Sequence, residues 1–319
     1  MFTENDVKQV LVIGIAGGLA QLLSKKLNTR FPNAKITGVD SRTTPKPKDI
    51  QNLSCLTLKY SRTEFEKLFR KNKFDVVFHL GRLSHAQPIL PMNLAQKIEF
   101  TLVETQKLFD ICKTFQVKKI IFLSSFHVYG ANADNPVFLT EDAPLRASID
   151  FGNLREVVEI DFTATNWMWK YQNEIQMNVF RPCNIIGHHI KNAVTTYLTT
   201  KYSPYPIDYN PSFQFIHEDD MANILVRAIL EVPTGVYNLA PDEFISIRRA
   251  LQICKNGGPP VPLFLATAFA SLLKKWYSAL PEYFLEYLKY PCLIDNQLIK
   301  THLKGPLFFH TTEETLKAL

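Results

Sequence analysis

The chain has 319 residues, of which 46% are hydrophobic, 12% aromatic and 21% charged, and its formal net charge is +6. Disordered and collagen-like chains are poorer in apolar residues or much richer in Gly and Pro, so this composition indicates a globular protein with one large or two smaller domains. The small basic excess contains no long basic run, which argues against nucleic acid as a partner.

The first half of the chain alternates short apolar runs with longer segments whose apolar residues have helical spacing. The predicted strands are Gln9–Ile13, Lys35–Val39, Leu53–Leu58, Asp75–Leu80 and Lys118–Leu123. Segments such as Leu19–Phe31 and Phe100–Phe115 are predicted helices between them. Continuous apolar strands that alternate with helices indicate an α/β fold with a Rossmann-type, doubly wound parallel sheet.

The alternation of strands and helices weakens in the second half of the chain. Met177–Phe180 and Val236–Leu239 are two further predicted strands. Ser203–Pro211 and Gly257–Pro262 are rich in proline, so we predict that they are loops. These features predict a smaller, mixed C-terminal lobe beside the main sheet.

A glycine-rich turn follows the first predicted strand and precedes the first predicted helix. Its sequence is Gly14-Ile-Ala-Gly17-Gly18-Leu-Ala20, with Ala20 where a third glycine is common. Such a turn bends tightly and lets backbone N–H groups approach a pyrophosphate, while the helix offers its positive N-terminal end. The turn alone is a weak signal, because many glycine-rich turns bind nothing.

An acidic residue, Asp40, follows the second predicted strand, as a dinucleotide site requires. A carboxylate here accepts both hydroxyls of an adenosine ribose and repels a 2′-phosphate, so it favours NAD over NADP. Arg42 and Lys46 are nearby cations that weaken this preference. The order of strand, turn, helix, strand and acid therefore predicts NAD as the cofactor.

Five later blocks resemble the extended short-chain dehydrogenase/reductase family, which contains NAD-dependent nucleotide-sugar epimerases and dehydratases. The blocks are DVVFHLG at 75–81, SSFHVYG at 124–130, RPCNIIG at 181–187, FIHEDDMA at 215–222 and GVYNL at 235–239. The resemblance implies NAD at the carboxyl edge of the sheet, with Gly81 near the pyrophosphate. It also implies a small-molecule substrate in the cleft under the C-terminal lobe.

The resemblance divides the chain into two expected units. Residues 1–185 form the NAD-binding domain, to which a strand near 215–240 returns, and residues 186–214 and 241–319 form the substrate-binding lobe. An apolar segment at 261–290 includes Val261–Tyr277, which has helical spacing. We interpret it as core or homodimer contact, with a hydrophobic substrate pocket or a membrane-surface contact as alternatives.

The catalytic pair of the family is changed in this sequence. In the family a Tyr hydroxyl exchanges a proton with a substrate oxygen, a Lys four residues later holds the nicotinamide ribose, and a Ser bonds the same substrate oxygen. By resemblance Ser125 takes the Ser position, whereas the Tyr and Lys positions hold Phe151 and Arg155. Phe has no proton to give, while Arg keeps a positive charge and donors for ribose hydroxyls.

Other side chains are candidates for the missing acid and for substrate binding. His127, two residues after Ser125, is a speculative proton donor, and Tyr197 with Lys201 matches the string YxxxK. The second lobe offers polar candidates for a diphosphate, which are Lys191, Asn192, Arg248 and Arg249.

Three functions stay open. In the first, the chain is an NAD-binding, epimerase/dehydratase-like oxidoreductase that acts on a nucleotide sugar or on a hydrophobic alcohol or ketone. In the second, it is a catalytically inactive dinucleotide sensor that regulates a partner. In the third, it is an interaction protein without cofactor. The glycine turn with Asp40 argues against the third function.

The cysteine pattern and the termini indicate the compartment. Five scattered cysteines without a CxxC pair are typical of buried thiols in a reducing environment, and they predict neither disulfides nor a metal site. The first residues are charged where a secretory signal is apolar, and no apolar run is long enough to span a bilayer. We therefore expect a cytoplasmic protein.

Overall fold

The computed structural model describes residues 3–44, 50–80, 93–263, 281 and 283–319. Seven parallel strands form its main sheet, in the spatial order β11 (Gly235–Leu239), β6 (Gln176–Pro182), β5 (Lys119–Leu123), β4 (Val76–His79), β1 (Gln9–Ile13), β2 (Lys35–Asp40) and β3 (Leu53–Thr57). The order reverses between β1 and β4, as in a doubly wound sheet. The predicted Rossmann-type fold class is confirmed.

Helices cover both faces of this sheet and continue into the C-terminal part. In the described ranges they are α1 (Gly18–Arg30), α2 (Arg62–Lys71), α3 (Leu94–Thr114), α4 (Ala147–Asp150), α5 (Arg155–Tyr171), α6 (Ala193–Thr199), α7 (Glu218–Glu231), α8 (Ile247–Ile253), α9 (Phe284–Tyr287), α10 (Gln297–His302) and α11 (Thr312–Lys317). Short 3₁₀ turns lie at Glu4–Asp6, Phe126–Val128 and Gly152–Leu154.

Alternate side chains of each strand enter one of two apolar layers. In β1, Val10 and Val12 lie in the layer that contains α1 and α7, while Leu11 and Ile13 lie in the layer that contains α2, α3 and α5. Both faces of the strand are buried, which explains why its sequence is a continuous apolar run and not an alternating one.

Among the described residues, three two-stranded ladders lie beside the main sheet. They pair β7 (Asn184–Ile186) with β10 (Phe215–His217), β9 (Ser212–Phe213) with β12 (Ile245–Ser246), and β8 (Ser203–Pro206) with β13 (Gly257–Val261). The β9–β12 ladder is antiparallel and the other two are parallel.

The β8–β13 ladder shows that the prediction of loops at Ser203–Pro211 and Gly257–Pro262 was wrong for their strand residues. Proline cannot donate a ladder hydrogen bond, so a proline-rich run does not have the usual sequence pattern of a strand. The ladder forms with a register shift between Gly257 and Pro260, and Ile207 N–H donates to the carbonyl of Val261 at 3.1 Å.

The C-terminal segment returns to the end of β5. The ring of Tyr287 in α9 lies 5.7 Å from that of Phe126, in the 3₁₀ turn that follows β5. Further along, Leu139 N–H donates to the carbonyl of Leu293 at 2.8 Å. The apolar helix predicted within Val261–Tyr277 lies outside the described residues beyond Leu263. No helix in the described ranges is long and apolar enough to cross a membrane.

Candidate functional site

A cleft of about 670 Å³ lies at the carboxyl edge of the sheet. It is lined by residues that end or follow β1, β2, β4, β5 and β6, together with residues of α3, α5 and α6 and of the segment that enters α9. β1 and β4 are neighbours here, and the chain continues from them towards opposite sides of the sheet. Such a switch point is where doubly wound sheets bind ligands.

The glycine turn after β1 presents bare backbone to the cleft. Gly14 has a φ of 90°, which other residues rarely adopt, and its N–H donates to the carbonyl of Val39 at 2.9 Å. Gly17 is the N-cap of α1, and a Cβ there would lie 3.3 Å from the Gly14 carbonyl oxygen. Both glycines line the cleft, so the start of α1 faces it without an intervening side chain, as an anion site requires.

Gly18 and Ala20 pack against protein and are not among the residues that line the cleft. A Cβ at Gly18 would lie 2.1 Å from the carbonyl oxygen of His189, so only glycine fits this approach. Ala20 is 1% exposed in the apolar layer, where its methyl group finds room. Direct contact of either residue with a cofactor stays a prediction.

Asp40 closes the cleft at the end of β2 and is only 3% exposed. Its carboxylate accepts from Ala16 N–H at 3.1 Å, from Arg42 N–H at 3.0 Å and from Arg42 Nε at 3.0 Å. Burial opposes ionisation, but the hydrogen bonds from Arg42 and Ala16 outweigh it and lower the pKa of Asp40. The side chain is therefore a fixed, ionised acceptor, with the 61% exposed Arg42 side chain folded over it.

Ser125 and His127 line the cleft at the end of β5. Ser125 Oγ accepts from His127 N–H at 3.3 Å and starts the 3₁₀ turn. The His127 ring lies 5.4 Å from the ring of Tyr283 and 4.9 Å from that of Tyr287. Tyr283 also lines the cleft, so the second half of the chain places a phenol beside His127 that the sequence analysis did not single out as a site residue.

Phe151 and Arg155 are not among the described residues that line this cleft. Arg155 has a 63% exposed side chain and pairs with Glu159 at 3.4 Å. Phe151 is half-buried, and its carbonyl accepts from Leu154 N–H at 3.0 Å in the 3₁₀ turn before α5. Their roles as the altered Tyr and Lys positions stay predictions.

Glu156 lines the cleft in the first turn of α5, and sequence analysis did not single it out. Thr101 of α3, which is 1% exposed, donates its hydroxyl to Glu156 Oε1 at 3.2 Å. His79 and Thr105 also line the cleft and are 3% and 0% exposed. His79 Nε2 and Thr105 Oγ1 have no hydrogen-bond partner among the described residues.

Residues of the sequence blocks meet in a buried polar network behind the cleft. Arg181 of β6 bonds both oxygens of Asp161 in α5, at 2.9 and 2.6 Å, and donates to Tyr129 Oη at 2.9 Å. Tyr129 Oη in turn donates to Asn238 Oδ1 of β11 at 2.8 Å. Burial raises the pKa of Tyr129 to about 12. This network joins β5, β6, β11 and α5, so it fixes the edge of the sheet from which Ser125 projects.

The remaining candidates have varied surroundings. Tyr197 is buried and donates to the carbonyl of Pro204 at 2.7 Å, so the second YxxxK string packs inside the protein. Arg248 was predicted to bind a diphosphate, but its guanidinium group donates to three backbone carbonyls within residues 206–209. Lys191 and Asn192 line the cleft, and their predicted role in binding a diphosphate stays a prediction. Gly81 lies outside the described residues.

A sequence model of the NAD dependent epimerase/dehydratase family matches residues 10–240, so the chain belongs to that family. An uncharacterized protein of Mycobacterium tuberculosis is 26% identical over 239 residues, which are 74% of this chain and 63% of that protein. The chain thus spans less than two thirds of the length of this curated relative.

Two solved structures have the same fold. One is dTDP-glucose 4,6-dehydratase of Bacillus anthracis in complex with NAD, with a TM-score of 0.72 and 15% identity over 98% of this chain and 94% of that one. The other is UDP-glucose 4-epimerase of Thermotoga maritima with UDP-glucose, with a TM-score of 0.73 and 16% identity over 97% of this chain and 96% of that one.

Proposed function

We propose that this chain binds NAD in the cleft and acts as an epimerase/dehydratase-like oxidoreductase whose usual Tyr/Lys pair is replaced by Phe151 and Arg155. The observation that carries the proposal is that the glycine turn, Asp40 and Ser125 line one continuous cleft. Bound NAD supplies a hydride acceptor next to a substrate carbon. The protein supplies an anion site, a ribose acceptor and a hydroxyl.

The residues of the cleft fit the adenosine and pyrophosphate parts of NAD. Gly14 and Gly17 line the cleft without side chains, at the positive N-terminal end of α1. Asp40 is held ionised and accepts ribose hydroxyls in this proposal, which selects NAD over NADP. Arg42 is already bound to Asp40, so it does not offer a separate phosphate site while that carboxylate is present.

Residues from the second half of the chain that line the cleft suit a substrate that carries an anion. Lys191 is exposed at the cleft, and Asn192 caps α6 with its side chain. A nucleotide sugar carries a diphosphate that a lysine attracts, and both solved structures above are named for nucleotide-sugar enzymes. A hydrophobic alcohol or ketone is the alternative, since Tyr283 and Phe284 also line the cleft.

The second candidate function is a catalytically inactive dinucleotide sensor. It is favoured because Phe151 and Arg155 stand at the sequence positions of the family's Tyr and Lys, and neither lines the described cleft to supply a proton or hold the cofactor. The enzyme and the sensor share the NAD site and differ in turnover alone.

Absorbance of reduced nicotinamide separates these two functions. The protein loaded with NAD is mixed with UDP-glucose, dTDP-glucose and other nucleotide sugars, and the Ser125→Ala variant is the control. An absorbance rise that Ser125→Ala lowers at least about tenfold supports the enzyme, because Ser125 would hold the reacting oxygen. NAD binding without any absorbance change favours the sensor.

We also propose a homodimer through α3 and α5. Val103, Phe162 and Trp169 on these helices are 41%, 58% and 47% exposed, and the last two lie on one face of α5. Exposed apolar residues that cluster on one face are typical of an interface. Sedimentation velocity should show a dimer for the wild type and a monomer for Phe162→Glu.

A further inference from the structure

The buried face of α5 reaches the cleft at Glu156. Ile160, Ala164 and Trp167 of this helix are buried, with the spacing of one helical stripe. Glu156 continues the stripe one turn towards the N-terminus and lines the cleft. Arg155 lies off the stripe, exposed to solvent. Packing of α5 therefore places a carboxylate in the cleft, one residue after the position where the family has its lysine.

The carboxylate of Glu156 is held in place by a hydrogen bond and lies at the N-terminus of a helix. Thr101 of α3 donates to it at 3.2 Å, and the first turn of a helix stabilises a negative charge. In the parts of the chain that the structure describes, no Lys, Arg or His forms an ion pair with Glu156. Its charge is therefore available to a ligand at this end of the cleft.

The surroundings of Glu156 are built for a polar group of a ligand. Ser125 lines the cleft on the β5 side, and the buried atoms His79 Nε2 and Thr105 Oγ1 have no partner among the described residues. A buried polar atom without a partner is costly, and a ligand with hydrogen-bonding groups removes this cost. Asp40 ends β2, which is three strands from β5 in the sheet, so a bound dinucleotide would extend from Asp40 along the carboxyl edge towards Glu156.

We propose that Glu156 is the charged group that faces the nicotinamide end of the cofactor, and that it makes the site bind NAD⁺ more tightly than NADH. This inference rests on the proposed NAD site. The oxidised nicotinamide ring carries a positive charge and the reduced ring is neutral, so a nearby carboxylate stabilises the oxidised form alone. The site would then hold the form of the cofactor that can oxidise a substrate alcohol.

Binding of the two cofactor forms tests this inference without any substrate. Dissociation constants for NAD⁺ and NADH are measured by calorimetry for the wild type, for Glu156→Gln and for Glu159→Gln. Glu159 is the matched control, because it lies on the same helix outside the described cleft lining. We expect Glu156→Gln to lower the affinity ratio of NAD⁺ to NADH by about three- to tenfold, mainly through weaker NAD⁺ binding. Glu159→Gln should leave the ratio unchanged.

Three outcomes contradict the inference in distinguishable ways. An unchanged ratio in Glu156→Gln overturns the role of Glu156 and leaves the NAD site intact. An equal change in Glu159→Gln assigns the effect to its partner Arg155 and likewise overturns the inference. A folded wild type that binds neither cofactor form refutes the proposed function and this inference with it. Thermal unfolding of each variant verifies that it is folded.

Discussion

Substitution of Asp40 by Asn should weaken the selection of NAD over NADP. Asn has the same shape and still accepts a hydrogen bond from Ala16 N–H, but it carries no charge. The carboxylate is 3% exposed and is bound by Arg42 at 3.0 Å, so the wild-type charge is both buried and fixed. Its removal releases the Arg42 guanidinium, which is then free to meet a 2′-phosphate.

The size of the effect follows from the hydrogen bonds to a charged acceptor. The Asn amide offers the two ribose hydroxyls one neutral acceptor oxygen and one NH2 donor in place of two charged acceptor oxygens. This change should cost NAD about 10- to 100-fold in affinity, or about 1.4 to 2.8 kcal/mol. NADP loses its repulsion from the carboxylate, so its affinity should stay constant or rise. Calorimetric titration of both cofactors gives the two constants directly.

The double variant Asp40→Asn/Arg42→Ala controls for the released guanidinium. It should lose any NADP affinity that the single variant gains, while its NAD affinity stays as low as that of the single variant. A single variant that keeps the wild-type ratio of NAD to NADP affinity would refute the assignment of Asp40 as the ribose acceptor.

Three other predictions concern stability and turnover. Burial lowers the pKa of His79 from 6.5 to about 4, so the unfolded chain binds more protons in this window and stability falls as the pH decreases. Because of His79, the free energy of unfolding should fall by about 2 kcal/mol between pH 7 and pH 5. Urea unfolding of His79→Phe at the two pH values should lack this loss. A variant that keeps the wild-type dependence on pH would contradict the prediction. Lys119 is buried and donates to two carbonyls at the end of α7, at 2.6 and 2.5 Å, so Lys119→Met should lower the free energy of unfolding by about 2 kcal/mol in the same assay. Equal stability of wild type and Lys119→Met would show that these bonds contribute nothing. The double change Phe151→Tyr/Arg155→Lys should raise turnover of a nucleotide sugar by less than about threefold, because neither residue lines the described cleft. A gain of a hundredfold or more would place both residues at the reacting atoms.

The strands of the main sheet could be predicted well because their apolar runs are buried on both faces. β1 occupies Gln9–Ile13, as predicted, and the glycine turn follows β1 while Asp40 ends β2 at the same edge of the sheet. Local sequence decides these features. β13 was missed because its prolines hide a strand that exists only through pairing with β8.

The chemistry at α5 could not be predicted from motif positions alone. The resemblance aligned Arg155 with a lysine, but the face of a helix that enters a cleft is set by its packing. The buried residues Ile160, Ala164 and Trp167 already indicate in the sequence that Glu156 lies on the inner stripe. Tyr283 had no such signal, since only the return of the C-terminal segment brings it beside His127.

The most direct test of the NAD site is a calorimetric titration of NAD⁺ into the wild type and into Gly17→Asp. Gly17 is the N-cap of α1 with extended backbone angles, and Asp is a favoured N-cap residue, so the variant should fold after its Cβ moves slightly from the Gly14 oxygen, 3.3 Å away. Its carboxylate would then stand where the pyrophosphate binds. We predict that one NAD⁺ binds per wild-type chain and that folded Gly17→Asp binds it at least about a hundredfold more weakly. Equal affinities, or no heat with the wild type, would contradict it.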